Sequence, residues 1–414
     1  MLEQCTKEKM HSLSVTYEDV VQAQQRMLDT LPATPMSVLS CPKINHKVHL
    51  KLDILQRTGS FKERGALNAL LQIQAEGKTQ KVIGASAGNH AQAVSYHGYK
   101  LGMEVSMIMP THTPINKVLS TQKWGAHVEL LGDTVDQGIT MAKERAQTSG
   151  EAFVHAFDDP RIIAGQGVCA LEILQQLQDI DYIVVPIGGG GYISGIATVI
   201  KHVSPKTKVI GVQTESYPHI ARAYQGKPFQ ADPKSSTIAD GIAVKGIGEH
   251  TLPIIQALVD EIVLVNDQDI AQAILYLLQN RKILAEGAGA TGFAAILSEK
   301  IIIPEGKTIV TPICGGNIDM NLLSRIIEKG FLREKRLLKV NVVISDRPGS
   351  LHQLTGVLAS VGANILNIQH DRVSTNIPFY NTGTELILET KGEEHADQII
   401  KALETHCYRV KLRT

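Results

Sequence analysis

Short, unbroken apolar runs separated by helical patterns constrain this chain more than any other feature. Such runs recur at Val48 to Asp53, Lys81 to Ala85, Val105 to Met109, Val128 to Leu131, Phe153 to Ala156, Ile183 to Ile187, Val209 to Gln213, Ile262 to Val265 and Ile309 to Ile313. Strands alternating with helices predict an α/β protein with mainly parallel sheets. Apolar residues in succession, rather than every second residue, predict sheets covered by helices on both faces. Ahead of them, Thr16-Tyr17-Glu18-Asp19 opens a helix carrying Val20, Val21, Ala23, Met27 and Leu28, and Thr34-Pro35 ends that segment. The pattern breaks at the charged run Phe331 to Arg336. A first domain over residues 1–333, with a smaller subdomain at roughly 58–155 set into it, and a second over 334–414 are therefore expected. The second reads strand Leu337 to Ile344, helix Ser350 to Val361, strand Asn364 to Gln369, strand Thr384 to Leu388, helix Glu393 to Leu403, strand Tyr408 to Leu412. That is the βαββαβ order of a ferredoxin-like module. A unit so small gains stability by pairing with a copy of itself, so a homodimer or homotetramer is expected.

Charge narrows the class of partner. Forty-one basic and forty-one acidic residues leave the formal net charge at zero. Neither a nucleic-acid nor an anionic-membrane footprint is present, which points to small-molecule ligands. Cys5, Cys41, Cys169, Cys314 and Cys407 are scattered without a CxxC or a metal-ligand spacing, the usage of reduced thiols in the cytoplasm. The N-terminus MLEQCTKEKMHS has no apolar signal core, and no run reaches the roughly 18 apolar residues of a spanning helix.

Four loops at strand ends carry groups suited to chemistry. In Thr58-Gly59-Ser60-Phe61-Lys62-Glu63-Arg64-Gly65, Ser60 is expected to cap a helix through Ala66, Leu67, Leu70 and Leu71. Lys62 then lies in the first turn, where the positive helix end disfavours an ammonium and eases access to a nucleophilic amine. These eight residues alone fit a solvated helix lysine equally well. Ser86-Ala87-Gly88-Asn89-His90 follows the Lys81 to Ala85 run and forms either a cup for a carboxylate or a plain Asx turn. Gly188-Gly189-Gly190-Gly191 lets backbone N–H groups converge on a phosphate, although it matches neither the Walker pattern nor GxGxxG. Cys314-Gly315-Gly316-Asn317 closes the last run of the first domain. Strand C-termini facing helix N-termini are where α/β proteins bind ligands.

Together, Ser60-Phe61-Lys62, the Ser86 to His90 loop, the tetraglycine and Gly315-Gly316-Asn317 resemble the fold-type II pyridoxal phosphate enzymes, within them the threonine dehydratase and serine racemase group. The resemblance covers about residues 15–330. It implies that Phe61 and Lys62 lie at a pyridoxal 5′-phosphate cofactor, with Lys62 its covalent Schiff-base anchor and then the base on the α-carbon proton. It implies further that Asn89 bonds the cofactor's 3′-oxygen, that Gly188, Gly189, Gly190 and Gly191 hold its phosphate, and that Cys314 faces the pyridine nitrogen. Ser86, Ala87, Asn89 and His90 would receive the substrate carboxylate. A neutral thiol does not stabilise a pyridinium as a carboxylate does, which favours β-elimination over transamination. The implied reaction is loss of the β-hydroxyl of L-threonine, with proton donation to the leaving group by the cofactor phosphate, then hydrolysis to 2-oxobutanoate and ammonia. L-serine would give pyruvate. Asp240, Gly241 and Glu286 resemble segments that line the site, without an assigned step.

Two departures bear on the alternatives. Serine racemases carry a serine where this chain has Ala87, and a metal-binding glutamate where it has Gln213, so racemisation is disfavoured and no metal is expected; Glu215 reads as a surface carboxylate. A hydroxyaspartate ammonia-lyase would need a further cation, for which Arg64 and Lys117 are the candidates. A catalytically silent amino-acid sensor on the same fold is the alternative outside enzymes, opposed by the intact lysine and loops. In the C-terminal module, Asp346-Arg347-Pro348-Gly349-Ser350-Leu351 with Ala363-Asn364-Ile365 resembles the ACT domain. The resemblance implies an amino-acid effector, isoleucine or valine, near Gly349, Asn364 and Ile365, and a place in isoleucine biosynthesis.

Overall fold

The computed structural model describes residues 13–39, 44–228, 235–372 and 377–412. Cys5 and Cys41 lie outside them. The chain forms two compact units, Met1–Ile318 and Asp319–Thr414, so the Met320–Arg333 helix belongs to the second.

The first unit contains two sheets. The larger runs in the order Met36–Leu39, Lys47–Lys51, Thr308–Pro312, Tyr182–Pro186, Lys208–Thr214, Glu261–Val265. Its neighbours are parallel except for the first pair, which is antiparallel. The Met36–Leu39 edge strand carries no unbroken apolar run in the sequence, and Val38 on it is exposed, so nothing marked it as a strand. The smaller sheet, in the order His127–Leu130, Glu104–Met109, Lys81–Ala85, Ala152–Phe153, is parallel throughout. Inner strands such as Tyr182–Pro186 are almost wholly buried, as unbroken apolarity requires.

Local chemistry sets the helix starts. Thr16 Oγ1 accepts from the Asp19 amide at 3.2 Å while Asp19 Oδ2 accepts from the Thr16 amide at 2.8 Å, a capping box for Tyr17–Met27. Asp159 caps Pro160–Gln176, whose first residue is proline. The expectation for Ser60 is corrected: the helix runs Lys62–Glu76, is preceded by Phe61, and receives no side-chain cap. Ser60 instead forms an antiparallel bridge to Gly315, and the Phe61 amide donates to the Cys314 carbonyl at 2.9 Å. The helix starts one residue too late for Ser60 to cap it, because Phe61 takes the N-cap position, and the Ser60 Oγ finds no partner among the described residues.

Beneath this turn lies a buried cluster of charges. Arg64, Asp53 and Lys51 are fully buried and Glu172 nearly so. Arg64 bonds Asp53 at 2.8 Å and Glu172 at 2.5 Å, and Lys51 Nζ meets Glu172 at 2.6 Å. Tyr192 Oη and Thr34 Oγ1 complete the Asp53 carboxylate at 2.8 and 2.7 Å. Burial alone would raise the Asp53 pKa, but Arg64, Thr34 and Lys51 outweigh it and hold it down at about 2. Two cations and two anions leave the cluster neutral, the condition under which buried charge is tolerated.

The second unit is an antiparallel sheet in the order Asn364–Asp371, Asn381–Glu389, Leu337–Ser345, Arg409–Leu412, with helices Ser350–Ser360 and Glu393–Thr405. Strict alternation along Leu337–Ser345 puts Leu338, Val340, Val342 and Ile344 into its core. Among the described residues no helix is long and apolar enough to cross a membrane.

Glu172→Gln removes one anion and leaves Arg64 and Lys51 facing Asp53 alone. The expected loss of unfolding free energy is about 3–5 kcal/mol, read by denaturant titration; a loss below about 1 kcal/mol would contradict the account of the cluster.

Candidate active site

Loops at the C-terminal ends of both sheets of the first unit meet around one cavity of about 430 Å³. Its wall includes Phe61, Lys62, Ser86, Ala87, Asn89, His90, the four glycines 188–191, Asp240, Gly241, Glu286 and Cys314, residues that are far apart in sequence. Gly349, Asn364 and Ile365 belong to the other unit.

Lys62 opens its helix and donates from Nζ to the Ala156 carbonyl at 2.7 Å. Burial pulls its pKa down to about 8, against smaller opposing pulls from Cys314 and Glu286. An amine in this setting is half neutral near pH 8 and therefore nucleophilic under mild conditions. Cys314 is its counterpart across the site in chemistry: a buried thiol, weakly bonded to the Ala288 carbonyl at 3.9 Å, whose pKa burial and the Glu286 charge push well above the ordinary value. It stays protonated and neutral.

The tetraglycine turns from the Tyr182–Pro186 strand into the Gly191–Val203 helix. Gly190 has φ +92°, the left-handed region. A Cβ on Gly189 would lie 2.4 Å from the Phe157 ring, and one on Gly191 would lie 2.6 Å from the Phe157 carbonyl. Close packing on Phe157 thus demands glycine here, and the same absence of side chains leaves the first helical N–H groups open to an anion. Thr251 Oγ1 holds the loop by donating to the Gly189 carbonyl at 2.9 Å.

In the asparagine loop, Gly88 precedes the Asn89–Lys100 helix, and its amide donates to Ser86 Oγ at 3.2 Å. Ala87 places a methyl group in the wall. His90 is buried with Nε2 at 3.2 Å from the Val154 carbonyl, and burial, then Lys62, lowers its pKa to about 3. It is neutral and offers no charge to a carboxylate, so any carboxylate cup here rests on backbone N–H groups and Ser86. Asn89 donates to Glu286 Oε1 at 2.7 Å and accepts from Asn317 at 2.7 Å. Burial and then the Asp240 charge raise Glu286 to about 7.

Arg64 is not an available cation, because its guanidinium is committed to Asp53 and Glu172 in the buried cluster. Lys117 does line the cavity, where Asp240 pairs with it at 2.5 Å. Gln213 is buried, its Oε1 accepting from the Ala221 amide at 2.8 Å. Phe157, Tyr192 and Val244 also line the site and were not singled out from sequence. Only Tyr192 sat next to a signal, as the residue directly after the glycines; its ring lies 4.1 Å from that of Phe61. An amine, an open helix start, a neutral thiol and a two-faced amide around one cavity fit a phosphorylated aromatic aldehyde.

Known proteins supply the remaining comparison. The pyridoxal-phosphate dependent enzyme family model matches residues 28–315, and the ACT domain model matches residues 339–407. An L-threonine ammonia-lyase of Thermotoga maritima is 41% identical over 402 residues, 96% of this chain and 99% of the relative. Among solved structures, a pyridoxal 5′-phosphate-dependent aspartate racemase superposes with TM-score 0.71 at 31% identity, covering 75% of this chain and 98% of that one. The processed form of threonine deaminase isoform 2 from Solanum lycopersicum gives TM-score 0.70 at 32% identity, covering 77% and 91%. A family model spanning more than half of the chain, and a relative matched almost end to end, agree with the cavity's chemistry: the chain belongs to the pyridoxal-phosphate dependent enzymes of fold type II, takes pyridoxal 5′-phosphate as cofactor, and carries an ACT domain behind the catalytic unit.

Proposed function

We propose that this protein is an L-threonine ammonia-lyase, converting L-threonine to 2-oxobutanoate and ammonia and, as a second substrate, L-serine to pyruvate and ammonia. The observation that carries this reading is the pairing of a desolvated Lys62 amine with a neutral Cys314 thiol in one cavity. Bound pyridoxal phosphate supplies an aldehyde for that amine and an electron sink for the substrate's α-carbon.

The chain's own groups then have separable tasks. Lys62 would hold the cofactor through its amine and would serve as the base for the α-proton. The amides at Gly188, Gly189, Gly190 and Gly191, at the start of a 13-residue helix, bind the phosphate. Asn89 would donate to the cofactor's 3′-oxygen, and Cys314 would face its ring nitrogen without a charge. Ser86 and the start of the Asn89–Lys100 helix receive the substrate carboxylate. Phe61, against Tyr192, walls the cofactor side. Ala87 brings a methyl group and no hydroxyl to the cavity, which favours elimination over racemisation. Asp240 occupies the Lys117 ammonium, leaving it poorly placed for the second carboxylate of a hydroxyaspartate; this supports a monocarboxylic substrate.

Residues 334–414 serve as the regulatory module of a homodimer or homotetramer in the cytoplasm, taking isoleucine or valine as effector. Gly349, at φ +93° with open space where a Cβ would stand, admits a ligand backbone. Asn364 bonds Glu389 at 2.9 Å and Ile365 packs against the module's core. The Asn364 amide is left one N–H for an effector.

Lys62→Ala is expected to lower ammonia release from L-threonine by at least about 10²–10⁴-fold with an unchanged thermal melt; near-normal turnover would refute the mechanism. In cofactor-free protein, acylation of Lys62 by a small reagent, followed by mass spectrometry, should rise with pH and level off above about 8, because only the neutral amine reacts. A solvated lysine would keep climbing toward about 10.4. Removing residues 334–414 should preserve 2-oxobutanoate formation and abolish its response to isoleucine or valine. A truncated protein that still responds would place the effector site elsewhere.

A further inference from the structure

Asn89 has two N–H donors and one carbonyl acceptor, and which of them faces the cavity decides whether it can serve an anionic ligand oxygen. The bonds around it form a directed chain. Asn317 Nδ2 donates to the Thr58 carbonyl at 2.7 Å and to Asn89 Oδ1 at 2.7 Å, and Asn89 Nδ2 donates to Glu286 Oε1 at 2.7 Å. The Thr58 carbonyl at one end can only accept, which fixes Asn317 and through it Asn89, and the ionised Glu286 carboxylate at the other end accepts in the same sense, so neither amide can turn over without setting like groups against each other.

The arrangement is built in by the surrounding backbone. The Glu286 amide donates to the Gly315 carbonyl at 3.0 Å, and the Gly287–Leu297 helix starts directly after it. A Cβ on Gly315 would come 2.2 Å from Glu286 Oε1 and 3.2 Å from Asn89 Nδ2. Gly241 stands on another side, its Cβ position 3.6 Å from the same carboxylate oxygen. Glycine at 315 thus leaves room for the carboxylate, while at Gly241 a Cβ would only touch it and would instead crowd the Ala288 methyl at 2.9 Å.

We propose that Glu286 is a positioning residue for the cofactor: by accepting one N–H of Asn89 it holds the amide so that the second N–H points into the cavity, at the cofactor's phenolic oxygen. Glu286 acts through Asn89 and need not touch the cofactor. This rests on the assignment of Asn89 to the cofactor made above. The charge environment agrees: Asp240 raises and Lys117 lowers the Glu286 pKa, Lys62 and Cys314 lie in the same wall, and the group still ionises near neutrality.

The test is a double-mutant cycle on the dissociation constant of pyridoxal 5′-phosphate, titrated into cofactor-free full-length protein, with each variant's melt recorded. Glu286→Ala should weaken binding about tenfold or more, the cost of a lost charge-assisted bond, while Glu286→Gln, which keeps an acceptor for Asn89, should stay within about threefold. In an Asn89→Ala background, Glu286→Ala should add nothing further. A loss that persists in that background, or an equal loss in Glu286→Gln and Glu286→Ala, overturns the positioning role alone. An Asn89→Ala protein that binds as tightly as the parent overturns the assignment of Asn89 and this inference with it. If Glu286→Ala does not fold, Asn317→Ala runs the same cycle from the other end of the chain of bonds, with the same outcomes decisive.

Discussion

The neutral charge cluster beneath Lys62 is the constraint on which the site depends. Arg64 stands two residues beyond the lysine and is clamped by Asp53 from the end of the second strand and Glu172 from the Pro160–Gln176 helix. Tyr192, from the glycine-led helix, closes on the same Asp53 oxygen that Arg64 Nε meets. One carboxylate thereby ties the lysine's helix to the helix that follows the tetraglycine. A guanidinium with fixed partners on three sides has little freedom, so the first turn carrying Lys62 is held from below while its amine stays free to react.

Holding the backbone this firmly explains how a site can be both dry and reactive. The Lys62 amine loses its charge easily because water is excluded, and the Cys314 thiol keeps its proton for the same reason. Desolvation thus pushes both groups toward their neutral forms from opposite chemistries. Glu286 is the exception in the wall: burial drives it toward neutrality, yet Asn89 and the Asn317 backbone amide recover enough of the cost to keep it near its turning point.

Much of this was legible in the sequence. Unbroken apolar runs such as Lys81 to Ala85 reported a covered parallel sheet, and that strand has those bounds. The lysine turn, the asparagine loop, the tetraglycine and the Cys314 loop were each visible because glycine and strand-end polar residues are costly unless used. What escaped was what depends on distant partners. Ser60 looked like a cap until Gly315 claimed its backbone, and Arg64 looked like a cavity cation until Asp53 and Glu172 enclosed it. Phe157 carries no local sign of its role, since its meaning lies in the glycines it presses against. The Met36–Leu39 edge strand is short and partly exposed, so periodicity had nothing to register.

The contact between Phe157 and the glycines limits how the enzyme can change. A turn of four glycines presents only main-chain groups to the cavity, with no side chain of its own through which its chemistry could be adjusted. Substitution at Gly189 or Gly191 collides with the Phe157 ring or its carbonyl, and at Gly190 with Ile255. The loop itself therefore tolerates little change, and adjustment falls to residues outside it, such as Thr251, which braces the Gly189 carbonyl.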